Sequence, residues 1–95
     1  MEIGTVGVVG LGTMGAGIAE VCARHGHRVI AIEPEDDSLE RGRGSIDGST
    51  QRAVKRGKLT EEERAEILGR ITFSTNLEEL AGADLVVEAI PEDLD

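Results

Sequence analysis

The run Gly10-Leu11-Gly12-Thr13-Met14-Gly15 places glycines at its first, third and sixth positions, a spacing suited to backbone folding around a phosphate. Gly10 permits a tight turn out of a strand, Gly12 lets the main chain approach a pyrophosphate, and Gly15 lets the next helix pack against the strand. Alone, six residues of this kind are a weak signal. Their context strengthens it, because they lie between an apolar β-branched run and a helical period, and the acidic Glu33 closes the following apolar run 18 positions after Gly15. A pyrophosphate would then meet free N–H donors at the positive end of the helix. A carboxylate at Glu33 would accept both ribose hydroxyls of NAD and repel the additional phosphate of NADP, and the nearest arginines, Arg41 and Arg43, follow about two helical turns later. NAD is therefore the expected cofactor. The competing role for Glu33 is to favour the start of the helix behind it.

The other reactive types point to little chemistry. Cys22 sits between Val21 and Ala23 as a small apolar side chain, and His25 and His27 flank Gly26 at the far end of the first helix. No second cysteine or further histidine completes a metal set, so no metal is expected. Arg52, Lys55, Arg56 and Lys58 form a basic cluster whose plain reading is a solvated helix face. Glu88 and Glu92 are better placed, because ligands of open sheets bind beyond the carboxyl ends of the strands, although Glu92 also suits an ordinary surface loop.

The elements that must position these residues follow from periodicity. Ile3–Val9 and Arg28–Ile32 read as buried strands, and Met14, Ile18, Val21, Cys22 and His25 mark a helix of about 12 residues between them, stopped by Gly26. Strand, helix and strand over this length form a βαβ unit with parallel strands and a right-handed crossover. Leu39, Ile46 and Ala53 then carry a helix to about Arg56, acidic at its start. Gly42, Gly44 and Gly48 lie inside it, each costing about 1 kcal/mol relative to alanine, which predicts the softest element of the fold. Gly57 ends it. Thr60-Glu61-Glu62-Glu63 is a capping box opening a further helix to about Leu68, so the pair forms a hairpin. Residues 71–75 read as a strand, 76–80 as one helical turn, and 85–90 as a parallel strand covered on both faces. The expected fold is α/β, a Rossmann-type parallel sheet running β-α-β-αα-β-α-β with a protruding helical hairpin.

Composition bounds the function. The 95 residues suffice for one small core, which must be aliphatic because Phe73 is the only aromatic residue. A net charge of −9 opposes a polyphosphate partner, and no aromatic platform exists for stacking bases. The acidity is concentrated late, with residues 71–95 carrying seven acids and no base. The longest uncharged stretch, Ile3 to Ala19, contains six glycines and is too short to span a bilayer. Met1-Glu2-Ile3 lacks the basic start of a secretory signal, and a lone cysteine suits a reducing compartment, so a cytoplasmic location is expected.

These residues resemble the N-terminal NAD-binding domain of 3-hydroxyacyl-CoA dehydrogenases, including bacterial 3-hydroxybutyryl-CoA dehydrogenases. The resemblance runs through Val8 to Ala19, through Gly57-Lys58-Leu59-Thr60, and through Ala83 to Glu92, and the last two motifs are more specific than the glycines. It implies that residues 10–15 and Glu33 hold the adenosine half of NAD, while Ala89, Ile90 and Glu92 line the other half. It also implies coenzyme A contacts at Ser49 and at Arg56, where the family usually has lysine. The family transfers hydride between C3 of a 3-hydroxyacyl-CoA and the nicotinamide. Its His–Glu acid/base pair and its dimer-forming helical domain would lie beyond residue 95, making residues 1–95 an incomplete dinucleotide-binding domain, inactive alone. Two alternatives share the glycine turn: a 3-hydroxyisobutyrate or 6-phosphogluconate type of dehydrogenase domain, and a non-catalytic NAD-binding module.

Overall fold

The computed structural model describes residues 4–89, and its elements follow the β-branched runs and helical periods of the chain. Strands β1, Thr5–Val9, and β2, Arg28–Ile32, flank helix α1, Thr13–Arg24. The buried stripe of α1 is made of Gly15, Ala16, Ala19 and Ala23, small enough for the helix to lie close on the strands. Helix α2, Asp36–Lys55, buries Leu39, Gly42, Ile46, Thr50 and Ala53 at spacings of three or four. The chain turns at an exposed tip around Gly57, whose φ of 75° favours glycine, and returns as α3, Glu61–Gly69. Both arms of the expected capping box are formed: the Glu63 N–H donates to Thr60 Oγ1 at 3.0 Å and the Thr60 N–H to Glu63 Oε1 at 2.8 Å.

Polar bonds hold the hairpin to itself and to the domain. The Thr50 hydroxyl, wholly buried, donates to the Ile46 carbonyl at 2.9 Å and accepts from Arg64 Nε at 3.1 Å. Arg64 also pairs with Asp47 at 2.5 Å, so α3 is bonded to α2 through one guanidinium. Arg70 donates to the Ala23 carbonyl at 2.8 Å, an acceptor that also takes the Gly26 N–H at 3.1 Å, so the start of β3 is tied to the end of α1. Strand β3 runs over Ile71–Ser74, and a 3-10 helix, Leu77–Gly82, and strand β4, Leu85–Glu88, follow.

All strand pairs are parallel, in the order β3-β2-β1-β4. The winding therefore reverses between β1 and β4, creating the crevice where open α/β sheets bind ligands. Register brings the ends level, with Val9 opposite Ile32 on one side and Glu88 on the other. The core is aliphatic, with Val6, Val8, Val29 and Ala31 meeting Ala19, Ile46 and Ile67 from the helices. One expectation is corrected here. Among the described residues β4 is not covered on both faces: Leu85 is 45% and Val86 48% exposed, and β4 is one of the two edge strands of the sheet. Its apolar run reflects what the residues prefer, whereas coverage of a face depends on an element packed over it.

Candidate cofactor-binding site

The glycine turn is built by three close approaches. Gly10 takes a φ of 95° and donates its N–H to the Ile32 carbonyl at 2.8 Å, so the chain leaves β1 across the end of β2. A Cβ on Gly15 would stand 1.8 Å from the Gly10 carbonyl oxygen, a distance only glycine avoids. A Cβ on Gly42 of α2 would stand 2.6 Å from the Leu11 Cβ, so α2 rests directly on the turn. This gives the first of the three α2 glycines a purpose the sequence does not disclose, while at Gly44 a Cβ would meet nothing within 4 Å and at Gly48 only the end of the flexible Arg52 side chain.

The start of α1 is left open. Its N-cap is Gly12, which offers no side-chain oxygen, and its first turn carries no acid, in contrast to the boxed start of α3. The donors at its N-terminus must therefore be met from outside the helix. A Cβ on Gly12 would have open space around it, so a ligand can reach the main chain there. Beside this turn, the half-buried Glu33 carboxylate accepts the Leu11 N–H at 3.1 Å, and the Glu33 N–H is fixed to the Ser74 carbonyl at 3.0 Å. Together these groups line an open cleft of about 360 Å³, whose other wall is Ser38, Arg41 and Ser45 of α2. The donor set matches a dinucleotide: unmet N–H groups suit a pyrophosphate, and a carboxylate suits the ribose hydroxyls.

Of the remaining expected site residues, Thr13 lines the cleft and Met14 is 61% exposed on the first turn of α1. Ala89 is brought to the turn, buried, with its N–H donating to the Val9 carbonyl at 2.8 Å and its Cβ facing Gly15. Ile90 and Glu92 lie outside the described residues. Ser49 does not line the cleft. It is half-buried and donates to Glu20 at 3.1 Å, a carboxylate that also pairs with Arg24 at 2.6 Å. Arg56 is the exposed C-cap of α2, seven residues along from Ser49 and about 10 Å away by helical rise. His25 donates through Nδ1 to the Val21 carbonyl at 2.8 Å and, with His27, stands at the opposite end of the sheet from the cleft. Among the described residues no three His, Cys, Asp or Glu side chains group as a metal would require. Sequence reasoning passed over Ser38 and Ser45 as cleft residues, although the spacing 38, 41, 45 on a helix that starts just after Glu33 marks one face.

Comparison with known proteins agrees with this geometry. Residues 5–95 match the family model described as 3-hydroxyacyl-CoA dehydrogenase, NAD binding domain. The chain is 51% identical over 88 residues to a 3-hydroxybutyryl-CoA dehydrogenase of Mycobacterium tuberculosis, covering 93% of this chain and 31% of that protein. It is 44% identical over 95 residues to a 3-hydroxyadipyl-CoA dehydrogenase of Escherichia coli, of which it spans 20%. The crystal structure of (S)-3-hydroxybutyryl-CoA dehydrogenase from Ralstonia eutropha superimposes with a TM-score of 0.93 at 41% identity, over 98% of this chain and 33% of that one. The chain thus spans a third or less of the length of these relatives.

Proposed function

The chain belongs to the NAD-binding domain family of 3-hydroxyacyl-CoA dehydrogenases, and from that premise we propose that it supplies the cofactor half of such an enzyme. The reaction is hydride transfer between C3 of a 3-hydroxyacyl-CoA and the nicotinamide. Bound NAD supplies the hydride acceptor; the residues of this chain bind and orient it. The N–H groups at the start of α1, with residues 10–15 around them, receive the pyrophosphate, and Glu33 receives the ribose hydroxyls of the adenosine half. Ala89, Ile90 and Glu92 continue the site towards the nicotinamide. Ser49 and Arg56 serve coenzyme A, with the exposed Arg56 as a cation for its acidic groups.

The observation that carries this reading is the uncapped start of α1 opening into the same cleft as the Glu33 carboxylate. Residues 1–95 form one incomplete domain on this reading, while the His–Glu acid/base pair and the dimer-forming helical domain belong elsewhere in the protein. The location is cytoplasmic, in keeping with the absence, among the described residues, of any helix long and apolar enough to cross a membrane. Calorimetric titration of the 95-residue chain with NAD, NADP and acetoacetyl-CoA tests the proposal. NAD should bind roughly tenfold or more tightly than NADP, a gap of about 1.4 kcal/mol, without turnover. A chain that shows a cooperative thermal transition but binds no NAD overturns it.

A further inference from the structure

The geometry points to Arg41 as a second cofactor-reading residue: with Ser38 it forms a seat for an anionic group on the adenosine ribose, and Glu33 alone keeps that seat closed to NADP. This rests on the assignment of the cleft to the adenosine half of the dinucleotide. Glu33 and Arg41 line the same cleft from opposite walls, one at the end of β2 and one on α2. They do not neutralise each other. Glu33 is engaged by the Leu11 N–H at 3.1 Å, and Arg41 Nη2 donates to Ser38 Oγ at 3.0 Å.

Arg41 is the arginine that both lines the cleft and lacks a carboxylate partner among the described residues. Arg43, two residues on, lies within ion-pair distance of Glu40, and Arg24, Arg64 and Arg70 pair with Glu20, Asp47 and Glu66; Arg28, Arg52 and Arg56 are without such a pair among the described residues but do not line the cleft. Arg41 has no such pair among the described residues, although the chain carries a net charge of −9. A guanidinium has five N–H donors, and the Ser38 bond occupies one, leaving a fork that fits a phosphate. Ser45, one helical turn further, adds a hydroxyl to the same wall. A 2′-hydroxyl suits the Glu33 carboxylate, whereas a 2′-phosphate is repelled by Glu33 and attracted by Arg41. The preference for NAD is then the outcome of two opposed charges, and removal of one should invert it.

The test uses adenosine ligands that differ only in the 2′-phosphate, 5′-AMP and 2′,5′-ADP, titrated calorimetrically into the 95-residue chain, with NAD as reference. Glu33→Gln removes the charge while keeping an oxygen able to accept the Leu11 N–H, and Glu33→Ser makes the same charge change with a smaller side chain. Either variant, once its thermal transition shows it folded, should bind 2′,5′-ADP at least about tenfold more tightly than the parent chain does. In the double variant E33Q/R41Q that gain should vanish, and E33Q/R41K should retain part of it, since lysine keeps the charge without the fork. The gain should also shrink as salt screens the pair. A gain that survives in E33Q/R41Q, or no gain in either single variant, overturns the role of Arg41 while leaving the cofactor site standing if the parent binds NAD. Failure of the folded parent to bind NAD overturns both.

Discussion

At Glu33 one carboxylate has two duties, and they can be separated. One oxygen supports the glycine turn by accepting the Leu11 N–H at 3.1 Å, and the carboxylate as a whole is aimed into the cleft where ribose hydroxyls would donate to it. Glu33→Ala removes both, and the loss of charge-assisted hydrogen bonds should weaken NAD binding by about 1 to 3 kcal/mol. Glu33→Gln keeps the turn bond, so a titration in which the two variants weaken NAD equally assigns the loss to the ribose contact. An unchanged NAD affinity in Glu33→Ala would remove Glu33 from the site. The glycine turn and Glu33 were legible because each needs a residue type that few others can replace: a positive φ at Gly10, no Cβ at Gly15, a negative charge at the strand end. Arg41 was visible only as the nearest arginine, because periodicity places a side chain on a face without saying whether a carboxylate on the same face claims it.

Among the elements, α2 is where the sequence was most ambiguous. Three interior glycines at an intrinsic cost of about 1 kcal/mol each predict softness, and that prediction treats them alike. Their surroundings do not. Gly42 is buried against Leu11, where a Cβ would come within 2.6 Å of one Leu11 carbon and 2.9 Å of its carbonyl oxygen. Gly44 is exposed, with open space where a Cβ would point. Gly44→Ala should therefore raise stability by about 0.5 to 1 kcal/mol, whereas Gly42→Ala should lower it and push α2 off the cofactor turn, weakening NAD binding as well. Thermal denaturation of both variants with and without NAD reads the difference; equal effects at the two positions would mean that α2 does not rest on the turn. Helix limits were legible because caps and left-handed glycines are local, whereas the contact of Gly42 with Leu11 spans two elements and is settled only by the packing.

For the whole molecule, the apolar surface is unevenly covered. Met14 and Val21 are 61% and 54% exposed on α1, and Leu85 and Val86 are 45% and 48% exposed on β4, an edge strand. The apolar character of residues 85–88 was legible, but the sheet order that puts them on an edge is a global property, fixed by where the chain crosses after β3. An apolar edge with no partner among the described residues is a template for pairing with another strand, and at tens to hundreds of micromolar the chain should self-associate. Its net charge of −9 opposes that contact, so association should increase with salt as the repulsion is screened. Val86→Lys places a cation on the edge at a half-exposed position, where it costs little packing and disfavours strand pairing. Sedimentation velocity across a concentration series should show the parent chain forming larger species in high salt and the lysine variant remaining monomeric. A parent chain that stays monomeric at every salt concentration would mean that the β4 edge is covered.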